Sequence, residues 1–191
     1  MIDTFKKKID SRIEQFEKFK DNTGVFKAVD LIENLLRKGG RIFIFGNGGS
    51  SAQSSHFAAE LVNKFYFERG PLPAVALTTD TAALTSIAND SLYKYVFSRQ
   101  LEALGRKNDI AIGLTTSGMS PNVLEAFHSA ERMKLKTLAL CGNNTTPLLN
   151  HNIDVIISVP SEDVPIIQEM HLFILHSVAE MLEKRFYAGD K

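Results

Sequence analysis

His56 and Glu60 stand four residues apart in SSHFAAEL, while Gln168, Glu169, His171 and His176 gather in IIQEMHLFILH. A spacing of four puts His56 and Glu60 on one face of a helix. A carboxylate, a carboxamide and imidazoles together can bind a metal ion or move protons, and spacing does not choose between the two. Gln168 and His176 are eight residues apart, about 12 Å along a helix and roughly 80° around it. To share one ion they must lean toward each other or come from different subunits. His171 lies in a segment as apolar as a core helix, where the plain expectation is a buried, hydrogen-bonded imidazole.

Two loops offer a place for an anion. Gly46-Asn47-Gly48-Gly49-Ser50-Ser51 follows an apolar run and precedes a helical segment. Its glycines let the backbone approach a ligand, and the helix start presents free N–H groups. No Gly-Lys-Ser/Thr ending makes it a P-loop, and Ser51 stands where a dinucleotide fingerprint needs glycine. Taken alone, it is equally a plain strand-to-helix turn. In Thr115-Thr116-Ser117-Gly118-Met119-Ser120-Pro121, four hydroxyl side chains surround one glycine. Hydroxyls and N–H groups can enclose a phosphate without a cation. Ser120 with Pro121 also reads as a helix cap; the hydroxyl density argues for phosphate. Ala88-Asn89-Asp90 could bond a polyol, but a helix end with an Asx turn is the expectation.

These loops need elements to hold them. Near-continuous apolar runs at 41–45, 74–77, 110–114, 137–140 and 155–159 predict strands buried on both faces of a parallel sheet. Helices are expected at 51–64, 81–87, 92–104, 122–133 and 147–149, with a last long one over 165–185. Alternation of strand and helix means an α/β sheet with right-handed crossovers, whose ligands sit beyond the carboxyl ends of the strands. Ahead of it, Ile2, Phe5, Ile9, Ile13, Phe16 and Phe19 recur every three or four residues along one helix, and a second helix runs to Gly39-Gly40. So much Phe and Ile on one stripe calls for a cover, such as a partner subunit.

A chain of 191 residues favours one domain over 1–191, with helices over 1–38 and an α/β sandwich over 39–191. Lys plus Arg equals Asp plus Glu at 22 each, so no net basic charge draws the protein to nucleic acid, and no direct nucleic-acid binding is expected. The lone Cys141 forms no internal disulfide, which fits a reducing compartment. The amphipathic, acid-bearing N-terminus lacks a signal-peptide core, and no apolar run approaches the ~20 residues of a membrane span. The expected location is the cytoplasm, without membrane attachment.

In FGNGGSSAQSSHFAAEL, IAND, TTSGMSPNV and IIQEMHLFILH, together with the two leading helices, the chain resembles the sugar isomerase (SIS) family along its whole length. The resemblance implies a flavodoxin-like five-stranded parallel sheet with helices on both faces, preceded by a helical hairpin. It implies a homotetramer with active sites between subunits and a phosphorylated seven-carbon sugar as substrate. The implied reaction interconverts sedoheptulose 7-phosphate and glycero-manno-heptose 7-phosphate through an enediol, in heptose biosynthesis. Glu60 and His176 match the family's proton-transfer pair; His56, Glu60, Gln168 and His176 match its ligands to one Zn2+ per subunit. Asn47, Gly48, Gly49 and Ser50, with Glu60, Asn89, Asp90 and Gln168, match substrate contacts, and Thr115, Thr116, Ser117 and Ser120 the phosphate loop.

Thr115 and Met119 depart from the family's usual serine and asparagine, and Lys64 stands where arginine is common. Pro165 replaces a frequent aspartate, and Asp163, two residues off, does not inherit its role. FERGPLPAVALTTD, LTSIAND and IIQEMHL also resemble a branch that binds the replication initiator. That branch tends to lack the acid and the second histidine at positions 60 and 176, and both are present here. An isomerase or epimerase of another phosphosugar is the third reading.

Overall fold

The apolar runs do form strands: β1 Ile42–Gly46, β2 Ala74–Ala76, β3 Ile110–Thr115, β4 Lys136–Cys141 and β5 Val155–Ser158. In the computed structural model, which describes residues 1–187, they pair in parallel in the order β2-β1-β3-β4-β5. The last four positions of the expected 1–191 unit lie outside the described residues. Ile42 registers with Ile110 and Ala74, and Gly46 with Leu114. Every residue of β1 and β3 is buried. Because successive side chains point to opposite faces, Ile42 and Ile44 enter one core and Phe43 and Phe45 the other.

Helices cover both faces. They are α1 Ile2–Phe19, α2 Gly24–Arg37, α3 Gly49–Val62, α4 Thr81–Asp90, α5 Ser98–Leu104, α6 Pro121–Arg132 and α7 Val164–Tyr187. The first core joins Val29 and Ile32 of α2, Phe57 and Leu61 of α3, and Ile174 and Val178 of α7. The second joins Phe97 and Leu101 to Val123 and Phe127 of α6, with Phe45 stacked on Phe97 at 5.4 Å. This order is the flavodoxin-like one, whose switch point lies between β1 and β3. The glycine loop leaves β1 there and the hydroxyl loop leaves β3, so both expected ligand loops flank it.

Two expectations about helices change. The segment expected as one helix over 92–104 is a 3-10 turn at Tyr93–Tyr95 and then α5. Val96 and Phe97, between them, are buried to 0% and 1% exposure, and packing overrides helical continuity. The helix expected over 81–87 runs on to Asp90, so that Ala88–Asp90 is a helix end as expected but still helical; its first turn is capped by Asp80 accepting from Ala83 N at 2.9 Å.

On α1, Phe16 meets Phe173 edge-on at 5.0 Å, and Phe19 is buried. Ile2, Phe5, Ile9 and Ile13 remain exposed. No helix among the described residues is long and apolar enough to cross a membrane.

Candidate active site

Helices α3 and α7 pack together over the first core and meet at successive levels. At the first level, the Gln168 carboxamide fills the space beside Gly49; a Cβ there would come within 2.5 Å of its Nε2. Gln53 Nε2 donates to the Gln168 carbonyl at 2.6 Å. About two turns further on, His56 and Glu60 of α3 face His176 of α7. His56 Nε2 lies 3.0 Å and His176 Nε2 3.4 Å from Glu60 Oε1, and the two Nε2 atoms are 3.0 Å apart. Three donor atoms from residues up to 120 positions apart thus converge on one point within a single chain.

The remaining Glu60 oxygen, Oε2, is buried without a hydrogen-bond partner. A carboxylate oxygen in that state is costly unless an ion or ligand completes it. Two imidazole nitrogens and a carboxylate suit zinc by donor type. The Gln168 amide lies against Gly49, at the preceding level of the same α3–α7 contact. The Phe65 ring lies 5.7 Å from the His176 ring.

The two loops at the switch point are tied to each other. Asn47 Nδ2 donates to Asn122 Oδ1 and Asn122 Nδ2 to Asn47 Oδ1, each at 2.8 Å, and the Tyr93 hydroxyl donates to Asn47 Oδ1 at 3.2 Å. In the hydroxyl loop, Ser120 occupies the N-cap position of α6 and Pro121 its first turn, as expected. Its hydroxyl makes no cap, however. It pairs with Thr115 Oγ1 at 3.1 Å. The main-chain N–H of Met119 donates to Ser117 Oγ at 3.1 Å, and Gly118 has φ +71°. Ser50 is buried at the start of α3, and Gly48 turns the chain with φ +54°.

Asn89 and Asp90 belong to another element, α4. Both are exposed on the last turn of α4, and Asn89 donates to Asp90 at 2.8 Å. Asp90 lines a cleft of about 580 Å³ with Arg99, Glu102, Glu125 and Arg132. Sequence reasoning missed Asn122, Tyr93 and Gln53. Asn122 directly follows the Ser-Pro pair, and Gln53 lies inside the glycine-loop motif, so adjacency to the motifs was the available clue.

His171 is buried, as expected, but no partner meets ordinary hydrogen-bond geometry at either ring nitrogen, and the Cys141 backbone supplies only a weaker contact. His171 sits between the apolar neighbours Met170, Ile174 and Leu175 on α7, all in the first core. Burial pushes the imidazole down to about 4 from 6.5, with the Cys141 backbone opposing. The unfolded chain therefore binds a proton that the folded one refuses. Stability is full above about pH 7 and falls as the pH drops through the unfolded value toward the folded one. Between about pH 7 and about pH 5 the loss from this residue is on the order of 2 kcal/mol. His171→Leu is expected to flatten that part of the profile, as read from urea midpoints at both pH values.

Residues 4–142 match the SIS domain family. A phosphoheptose isomerase of Campylobacter jejuni serotype O:6 is 48% identical over 165 residues, 85% of this chain and 87% of that one. One from Thermodesulfovibrio yellowstonii is 46% identical over 171 residues, 89% and 84% of the two chains. Among solved structures, a phosphoheptose isomerase from Francisella tularensis superposes with a TM-score of 0.92 at 32% identity, covering 96% of this chain and 98% of that one. With a parallel sheet in flavodoxin order, motif loops at its switch point and relatives this similar, the chain belongs to the SIS domain family.

Proposed function

We propose that the chain is a sedoheptulose-7-phosphate isomerase of heptose biosynthesis, working in the cytoplasm. The observation that carries this reading is the meeting of Glu60 with His56 and His176 in one chain. The full-length similarity to phosphoheptose isomerases supplies the substrate. The initiator-binding alternative gains nothing: it has no use for an acid and two imidazoles held within hydrogen-bond reach of one another.

Moving the carbonyl from C2 to C1 requires a proton to leave C1 and one to arrive at C2, by way of an enediol. Glu60 takes the carbon-bound proton and returns it to the neighbouring carbon. His176 moves the proton between the two oxygens. Asn47, Gly48, Gly49 and Ser50, with Asn89, Asp90 and Gln168, hold the sugar hydroxyls; Thr115, Thr116, Ser117 and Ser120 hold the phosphate. The Asn47–Asn122 pair fixes the distance between these two loops, and so the span of a substrate lying across them. His56, Glu60 and His176 would hold a zinc ion, with Gln168 the fourth ligand implied by the family resemblance. When bound, the metal supplies Lewis-acid stabilisation of negative charge on the substrate oxygens.

The exposed Ile2, Phe5, Ile9 and Ile13 stripe of α1 is covered by other copies in a homotetramer, which places each active site at a subunit boundary. The test combines purified protein with sedoheptulose 7-phosphate, with and without zinc, and assays for the aldose. Product formation is expected; its absence under both conditions overturns the reading. Metal analysis is expected to find one zinc per chain. Removing it should abolish turnover and lower the melting point, because an ion present at roughly 1,000 times its Kd contributes about 4 kcal/mol to folding.

A further inference from the structure

Beyond the site, a second charged cluster lies at the next level of the α3–α7 packing. Glu183 is on α7, seven residues after His176 and therefore on nearly the same face. Its side chain and that of Arg69 are both 0% exposed, and Arg69 Nε donates to Glu183 Oε1 at 2.8 Å. A buried ion pair is weak grounds for stability, so its retention asks for another reason.

The partners of the pair point to one. Arg69 Nη2 donates to the main-chain carbonyl of Glu60 at 2.8 Å, and Nη1 to those of Leu61 at 2.8 Å and Gly70 at 2.9 Å. Carbonyls in the last turn of a helix lack intrahelical donors. One guanidinium supplies donors to two of them here, Glu60 and Leu61, the latter shared with the Leu72 N–H, and Glu60 is the residue whose carboxylate faces the two histidines. Glu183 meanwhile accepts main-chain N–H groups from Phe65 at 2.9 Å, Tyr66 at 2.7 Å and Phe67 at 3.2 Å. That holds the segment whose Phe65 ring lies 5.7 Å from His176. Burial pushes the Glu183 carboxyl up, but the donors from Phe65, Tyr66, Arg69 and Phe67 outweigh it and leave it below the usual carboxylate range. It is therefore held as a carboxylate.

One buried carboxylate thus reaches the site by two routes, through Arg69 to the Glu60 backbone and through Phe65 to the His176 ring. We infer that Arg69 and Glu183 are positioning residues, which set the offset of α3 against α7 so that Glu60, His56 and His176 meet. The inference rests on the isomerase reading for its kinetic consequence alone. The ligand geometry it controls is measurable without turnover.

The test compares Arg69→Lys with Leu101→Ala. Lysine keeps the charge beside Glu183 but cannot form the planar fork that reaches three carbonyls. Leu101→Ala empties part of the second core, on the opposite face of the sheet, and serves as a control for lost stability. Below the melting points of both, Arg69→Lys is expected to lower kcat about 30-fold with KM changed less than about 3-fold, since the phosphate loop leaves a different strand. Its zinc affinity, measured by titration of the metal-free protein, should fall about 10-fold. Leu101→Ala should lose melting temperature and keep both constants.

Phe65→Leu leaves the main-chain bond to Glu183 in place and removes the ring beside His176. It guards against misfolding of the arginine variant, and a kcat loss of about 5-fold is expected. Values for Arg69→Lys equal to those of Leu101→Ala overturn the inference, as does unchanged kcat in Phe65→Leu if Arg69→Lys does not fold. An inactive wild type with a zinc affinity that still falls in Arg69→Lys would overturn the isomerase reading and leave the clamp standing.

Discussion

Glu60→Gln is expected to lower kcat on sedoheptulose 7-phosphate by about 10³-fold, within the range typical of a lost general base. The amide matches the carboxylate in shape, so packing in α3 is preserved while proton affinity vanishes. The position of Glu60 raises the cost. Its Oε1 is 3.0 Å and 3.4 Å from the two imidazoles, and its Oε2 is buried without a partner. A second measurement separates the roles of the pair. If Glu60 handles the carbon-bound proton, deuterium from the solvent stops entering C1 in Glu60→Gln. In His176→Ala some exchange continues while aldose formation fails, because the oxygen proton has lost its carrier. Activity of Glu60→Gln within about 10-fold of wild type would remove Glu60 from the chemistry.

The second large effect is expected in the hydroxyl loop. Gly118 has φ +71°, where a side chain costs about 1–2 kcal/mol. A Cβ built there would also stand 2.2 Å from the carbonyl oxygen of Asn144, closer than atoms can approach. Asn144 Nδ2 in turn donates to the Ser117 carbonyl at 3.2 Å, so the two loops hold each other. Gly118→Ala must push them apart and spoil the pairing of Thr115 with Ser120. KM for the sugar phosphate is expected to rise about 50-fold, with kcat reduced far less, because the Glu60–His176 pair lies on other elements. Isothermal titration with inorganic phosphate gives an independent check: an affinity equal to wild type would mean that this loop does not hold the phosphate.

Strands β1 and β3 could be read from the chain because apolar residues without alternation are a local property of a sheet buried on both faces. The two loops could be read because glycine and hydroxyl residues bunch where the strands end. His56 and Glu60 follow from a spacing of four on one helix. The helix expected over 92–104 failed because burial of Val96 and Phe97, a contact with distant residues, outweighed local propensity. Ser120 was assigned its place in the helix cap correctly, yet its hydroxyl turned to Thr115, a choice made by the neighbouring strand end.

Local pattern was thus enough for the class of fold, the glycine and hydroxyl loops at the strand ends and the types of group available for chemistry, since each depends on residues near one another in the chain. The meeting of Glu60 with His176 across 116 residues, the tie between Asn47 and Asn122, and the Arg69–Glu183 clamp had no local signature. Those pairings depend on how α3 lies against α7 and α6 against β1. That offset is set by side chains interlocking over the sheet, where no periodicity along the chain records it.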